Sequence, residues 1–213
     1  MPDNTRFTLE RLGDDWLHLV DQQGEFTPVT IDFMDAYYRA RGGSEHLPKT
    51  LRGMAGAHVA DATAGWARDA WLLAYRGFRI TLIEREPLLF ALLAQGIARA
   101  QATPAIAAIA ARLDVLHADS SDHLRHNGYD AVYLDPMYPA RDKKSKVKKD
   151  MQILHALLAD TPGNHDALLA SARHAARERV IVKRPQGAPH LADATPDYQI
   201  HAPNTRFDIY KTT

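Results

Sequence analysis

The sequence predicts an α/β fold: a mostly parallel sheet covered by helices on both faces, preceded by a small β-rich extension. Three observations carry this. From about residue 57 onward short apolar runs alternate with Ala/Leu-rich stretches of helical length, the pattern of strands buried on both faces and joined by crossover helices. Residues 7–31 instead alternate weakly and carry turn signals at Gly13-Asp14-Asp15 and Gln22-Gln23-Gly24, which reads as two or three short antiparallel strands. Acids stand at or just beyond the ends of several apolar runs, at Asp61, Glu84, Asp119 and Asp135. In open α/β sheets ligands bind beyond the carboxyl ends of the strands.

Each element follows from local pattern. Residues 33–52 read as a helix followed by a loop around Gly42-Gly43-Ser44. Ala57-His58-Val59-Ala60 is a short strand, Ala67 to about Arg76 a helix, and Arg79-Ile80-Thr81-Leu82-Ile83 a strand. Pro87 opens an Ala/Leu-rich helix to Gln101, because proline fits the first turn, where its missing N–H is not needed. A short helix over 104–111 precedes the strand 114–117, and a further strand spans 131–134. Helices are expected near 149–159 and 164–176, a strand at 179–183, and a closing hairpin from Tyr198–His201 and Arg206–Tyr210. No repeat, low-complexity tract or linker interrupts the chain. One domain over 1–213 is expected, with residues 1–56 as the N-terminal β/helix extension and 57–213 as the core.

Composition narrows the function. The 213 residues are 46% hydrophobic, enough for a substantial core. The absence of cysteine excludes disulfides, thiolate metal sites and cysteine nucleophiles. No stretch is long and apolar enough to span a membrane, and Met1-Pro2-Asp3-Asn4-Thr5-Arg6 has no apolar signal core. The expected location is the cytoplasm, with no membrane partner. His117, His123 and His126 form no ligand pattern, there is no H-E-x-x-H, and no metal is expected. A G-x-S-x-G hydrolase elbow is also missing.

The candidate chemistry lies at strand ends. Asp61-Ala62-Thr63-Ala64-Gly65 and the following Trp66-Ala67-Arg68-Asp69 form a small-residue turn that lets backbone approach a ligand. Glu84-Arg85 ends the next strand about 20 residues later, where a carboxylate can accept both hydroxyls of a ribose. Asp119 and Ser120 follow the third strand and can meet the amino group of an adenine. The loop has neither G-x-G-x-x-G nor G-K-[ST], so provision for a pyrophosphate is small. A nucleoside-like cofactor without phosphates fits, and S-adenosylmethionine is such a cofactor.

The fourth strand ends in Asp135-Pro136-Met137-Tyr138-Pro139. An acid and turn carbonyls accept hydrogen bonds from an exocyclic amine, proline fixes the backbone, and Tyr138 can stack on a flat base. The same turn also fits an ordinary polar strand end. Two residues on, the run from Arg141 to Lys149 holds six basic residues and one acid in a chain whose 26 basic and 26 acidic residues cancel. Lys143, Lys144, Lys146, Lys148 and Lys149 could hold phosphates beside the base slot, or form a solvated face. Lys183 and Arg184, at another strand end, are further candidates for phosphate contact or plain strand-end cations.

Taken together, Asp61–Gly65 with Arg68-Asp69, Glu84-Arg85, His117-Ala118 with Ser120, Tyr133 to Pro139, Val147-Lys148-Lys149, Val182-Lys183-Arg184-Pro185 and Arg206 to Tyr210 resemble the RsmJ family. Its members are bacterial small-subunit ribosomal RNA guanine-N2 methyltransferases. The resemblance runs from about residue 28 to the C-terminus. It implies a Rossmann-like class I S-adenosylmethionine-dependent methyltransferase sheet, with 16S ribosomal RNA of the small subunit as partner. It places Arg68, Asp69, Glu84, Arg85, Asp119, Ser120 and Asp135 at cofactor-contacting positions. The residue-based reading adds Asp61 and Gly65 to that set, and Pro136 and Tyr138 to Asp135 as the catalytic turn. The chain departs from the family pattern at Trp66, commonly leucine, at Ala67, usually a second glycine, and at Asp119, usually serine. The Gly-rich segment near 41–45 is shortened and the N-terminal part abbreviated. Two other readings stay open: an amino methyltransferase acting on adenine or DNA, and a catalytically silent RNA-binding assembly factor.

Overall fold

Side chains along a strand point alternately to the two faces of a sheet, and the central strands here are apolar on both. The computed structural model describes residues 6–13, 15–42, 45–137, 149–159 and 164–212. Strands β1 (Phe7–Arg11) and β2 (Leu17–Asp21) form an antiparallel hairpin, extended by an isolated bridge between Leu19 and Val29. Helices α1 (Phe33–Arg41) and α2 (His46–Lys49) follow. The core then runs β3 (His58–Asp61), α3 (Arg68–Tyr75), β4 (Arg79–Glu84), α4 (Pro87–Ala102), α5 (Ala107–Ala110), β5 (Leu113–His117), α6 (Ser120–His126) and β6 (Tyr129–Leu134). It continues with α7 (Lys149–Leu157), α8 (His165–Ala175), β7 (Ala176–Pro185), β8 (Tyr198–His201) and β9 (Thr205–Lys211).

The seven-stranded sheet has the order β5-β4-β3-β6-β7-β9-β8. All pairings from β5 to β7 are parallel, and the two involving β9 are antiparallel. The chain works outward from β3 to β5, then restarts at β6 on the other side of β3. The switch point therefore falls between β3 and β6, which carry Asp61 and the approach to Asp135.

The alternation sorts residues cleanly. Val59, Leu82, Ala131, Tyr133, Ile181 and Ile209 join one apolar cluster with α1, α3, α4 and α7. Their neighbours Ala60, Ile83, Val132, Leu134, Val182 and Tyr210 join a second cluster with α6 and α8. The N-terminal elements pack into the first cluster through Phe7, Leu19, Ile31 and Phe33, whose ring stacks on Trp71 at 4.6 Å. Gly96, inside α4, makes room for this: a Cβ there would stand 3.0 Å from Ile31 Cγ2.

Two elements differ from the sequence reading. Helix α6 is not expected from apolar periodicity, since Leu124 is its one buried residue. Polar signals build it: the Asp119 side chain caps it by accepting the Asp122 N–H, and His123, Arg125 and His126 occupy its last turn. Strand β7 begins at Ala176, directly after α8 and without a loop, three residues earlier than expected. Among the described residues no helix is long and apolar enough to cross a membrane, and no group of three or more acidic or histidine side chains is arranged to hold a metal.

Candidate active site

The loop after β3 is short and tightly bonded. Asp61 is 2% exposed, and its Oδ1 accepts the Thr63 N–H at 3.1 Å. The Thr63 hydroxyl accepts the Asp135 N–H at 2.6 Å, which fastens this loop to the turn after β6. Ser120 Oγ donates to the Ala62 carbonyl at 2.7 Å, so the start of α6 is tied to the same loop. Gly65 turns with φ 52° and Ala67 with φ 53°. The left-handed region is free to glycine but costs an alanine roughly 1 kcal/mol. Ala67 thus holds a conformation that favours glycine without being one.

Glu84 ends β4 with 7% exposure, and its Oε1 accepts the Glu86 N–H at 2.8 Å. Burial pushes its carboxyl up, opposed by N–H groups of Glu86, Gly65 and Arg85. A buried acid reached by the Gly65 turn is in place to receive hydroxyl hydrogens. Arg85 is exposed beside it, and its carbonyl lies 3.1 Å from His117 Nε2, whose ring stacks on Phe90. Arg68 pairs with Asp150 at the start of α7, and Trp66 Nε1 donates to the Asp150 carbonyl at 3.0 Å.

The centre of the site is a carboxylate cluster around one lysine. Lys183 Nζ lies 2.8 Å from Asp69 Oδ2 and 2.9 Å from Asp135 Oδ2. Tyr133 donates its hydroxyl to the same Asp69 oxygen at 2.5 Å. Burial, with Asp69 and Asp135 adding to it, pushes Asp61 up to about 7. Burial also raises the Tyr133 phenol, reinforced by Asp69. For Lys183 burial works against the charge, but Asp135 and Asp69 outweigh it and the net direction is upward. Desolvation pushes Asp135 up, Lys183 pulls it down and Asp69 pushes it up again, for a net rise. Asp135 is also the open end of the cluster, with 41% of its side chain exposed. Pro136 is buried behind it.

The structure thus gathers Asp61, Asp69, Asp135 and Lys183 and places Gly65, Glu84, Arg85, Asp119 and Ser120 on neighbouring strand ends. Tyr138 and Lys143, Lys144, Lys146 and Lys148 lie outside the described residues. Lys149 is exposed at the first residue of α7. One phosphate candidate is corrected. Arg184 is 3% exposed and donates Nε and Nη2 to the Pro189 carbonyl at 3.1 and 3.0 Å, so it faces the interior rather than an incoming phosphate. Lys183 is held between Asp69 and Asp135, so its partners are carboxylates at the site. Sequence reasoning missed Thr63 and Tyr133. A hydroxyl within a run of small residues is a signal for the first. Tyr133 reads as a plain strand aromatic, and only its neighbours reveal the phenol's role.

The donor set suits S-adenosylmethionine: a buried strand-end acid for ribose, and an excess of carboxylates over lysine for its positively charged sulfonium and ammonium. The sheet and its acidic strand ends are those of a Rossmann-like class I S-adenosylmethionine-dependent methyltransferase, and the family model described as a putative SAM-dependent methyltransferase matches residues 2–212. The chain belongs to the ribosomal RNA small subunit methyltransferase J family. It is 41% identical over 196 residues to the protein of that name from Nitrosococcus oceani, covering 87% of this chain and 77% of that one. Its counterpart from Pseudomonas aeruginosa is 41% identical over 193 residues, covering 86% and 74%. Among solved structures, a SAM-dependent methyltransferase from Neisseria gonorrhoeae superimposes with a TM-score of 0.80 at 33% identity, over 99% of this chain and 85% of that one.

Proposed function

We propose that this chain transfers a methyl group from S-adenosylmethionine to the exocyclic N2 amine of a guanine in 16S ribosomal RNA of the small subunit, acting in the cytoplasm where ribosomes are assembled. The observation that carries the reading is Asp135: a carboxylate fixed by its neighbours at the open mouth of a half-buried acidic cluster. The cofactor supplies an electrophilic methyl on its sulfonium. A guanine amine is a weak nucleophile because its lone pair is delocalised into the ring, so alignment matters more than a strong base. Asp135 accepts an amine hydrogen bond and favours lone-pair character on the nitrogen. Pro136 keeps the turn rigid, Tyr138 stacks on the base once it has left its helix or loop, and Glu84 holds the ribose of the cofactor. Asp61, Gly65, Arg68, Asp69, Arg85, Asp119 and Ser120 complete the cofactor pocket. Phosphates of the RNA are held by Lys143, Lys144, Lys146, Lys148 and Lys149.

The test is methyl transfer to small subunits isolated from a strain lacking the activity, followed by nucleoside analysis of the labelled RNA. The expected product is N2-methylguanosine in 16S RNA. Label in adenine, or in DNA offered in parallel, would favour the wider amino methyltransferase reading. Cofactor binding without transfer would mark a silent assembly factor. Neutralising the five lysines should flatten the salt dependence of RNA binding by roughly one slope unit per lost phosphate contact. Cofactor affinity should stay unchanged; an unaltered slope would reduce the run to a solvated face.

A further inference from the structure

Strand β7 delivers one cation into the acidic end of the site. Asp61 comes from β3, Asp69 from α3, and Tyr133 and Asp135 from β6 and its turn, and the Lys183 ammonium reaches the last turn of that arrangement from the next strand over. Asp69 Oδ2 accepts from both Lys183 and Tyr133, so the lysine has a fixed anchor on the side away from Asp135. Its other contact is with Asp135 Oδ2. A substrate amine approaching this carboxylate is therefore left the second oxygen, Oδ1. The Asp135 backbone is pinned as well, through its N–H to the Thr63 hydroxyl.

We propose that Lys183 is a positioning residue for methyl transfer: anchored on Asp69, it holds Asp135 Oδ2 as an anion and turns Oδ1 toward the amine of the target base. This rests on the methyltransferase reading above and deepens it. Without the lysine, Asp135 would face Asp61 and Asp69 with only the more distant Arg184 as counter-charge. Like charges at this separation favour the protonated acid. A protonated Asp135 offers one acceptor fewer and can donate a hydrogen bond in place of accepting one. When the amine nitrogen gains a methyl group it must lose one proton. With Lys183 in contact, Asp135 is a poor final acceptor, and that proton goes to water. The groups facing Lys183 are Asp69, Asp135 and, more distantly, Asp61 and Tyr133, with Arg184 acting on Asp135 from the other face of the sheet, and the pH response belongs to them together.

The experiment compares Lys183→Met and Lys183→Arg with the wild type, reading kcat, KM for small subunits, cofactor affinity by calorimetry and the pH–rate profile over about pH 5.5 to 9.5. Lys183→Met should lower kcat at neutral pH by about 10- to 100-fold, the range for losing a group that orients a reacting one. It should move the acidic limb of the profile to higher pH, so that part of the loss is regained in alkali. KM for subunits should change little. Lys183→Arg keeps the charge and should keep the wild-type midpoint. If Lys183→Met does not fold, Lys183→Gln removes the charge while retaining hydrogen bonds, and the same upward shift is expected. An unmoved limb in the neutral variants, or a shifted one in Lys183→Arg, would overturn the proposal. So would a raised KM with intact kcat, which belongs to a phosphate contact. Wild-type turnover is the control: its absence counts against the RNA methyltransferase reading, and an unmoved profile with an active wild type counts against Lys183 alone.

Discussion

Two ionic networks, one buried and one half-open, sit back to back across β7, and they are built differently. Lys183 and Arg184 are consecutive, so their side chains leave opposite faces of the sheet. On the Arg184 side, Arg206 and Asp208 make a two-pronged pair at 2.8 and 3.1 Å. Arg206 Nη1 donates to the carbonyls of Pro185 and Gln186, and Gln199 donates to Asp208 at 2.7 Å. There Arg206 is closely matched to Asp208, and backbone carbonyls accept from both Arg206 and Arg184, the kind of satisfaction buried ion pairs require. On the Lys183 side three carboxylates, Asp61, Asp69 and Asp135, share one ammonium. A buried network of closely matched partners holds strands together. An unbalanced one is costly to the fold and is kept where charge is needed for a ligand.

Removing one partner from each network should separate the two roles most sharply. Asp208→Ala leaves Arg206 buried without its carboxylate and should cost roughly 3–5 kcal/mol of stability by denaturant unfolding. Activity per folded molecule should be little changed. Asp135→Asn should do the reverse, lowering single-turnover methyl transfer by about 100- to 1,000-fold while the melting temperature barely moves. A near-normal rate in a folded Asp135→Asn protein would remove the residue from the chemistry.

The excess negative charge should also show in the pH dependence of stability. A carboxyl with a raised pKa in the folded chain holds its proton more tightly there than when unfolded. The Asp61 contribution is therefore fully present below about pH 4 and is lost as pH rises through about 7. Ligand-free protein should lose on the order of 2–4 kcal/mol over that window from this group. The difference between wild type and Asp61→Asn isolates it, and parallel curves would show that Asp61 titrates normally.

Two smaller effects probe the cofactor side of the unbalanced network. Glu84→Ala should weaken S-adenosylmethionine binding by about 1–3 kcal/mol, the range for losing charge-assisted hydrogen bonds. Unchanged affinity by calorimetry would take Glu84 out of the pocket. Gly65→Ala should cost about 1 kcal/mol of stability from its φ of 52° alone, because the added Cβ would meet only ordinary contacts at 3.7 and 3.8 Å. A markedly larger loss would mean that the loop cannot relax around it.

Much of this was legible in the chain. The switch from weak alternation to strand–helix repeats marked the extension and the core, and the acids at strand ends lie along one edge of the sheet. Helix α6 was not legible from apolar spacing, since a helix that buries only Leu124 has almost no hydrophobic stripe. Its one clear signal in the sequence is the N-cap Asp119. Lys183 and Arg184 look alike as strand-end cations, yet one meets two carboxylates at the site and the other is buried against the Pro189 carbonyl.

Local sequence determined which segments become strands and helices, because backbone period and turn chemistry act over a few neighbouring residues. It also set which acids end the strands. Tertiary structure alone decided what those acids meet. Lys183 and Asp69 are 114 residues apart, and Asp135 lies 48 from the lysine. Their contact depends on β6 pairing with β7 in one register, Leu134 opposite Val182, and on β3 lying beside β6. A slip of one residue would exchange Lys183 with Arg184 and turn the cluster inside out. Charge pairing at that range is set by sheet order and register, which no stretch of sequence carries by itself.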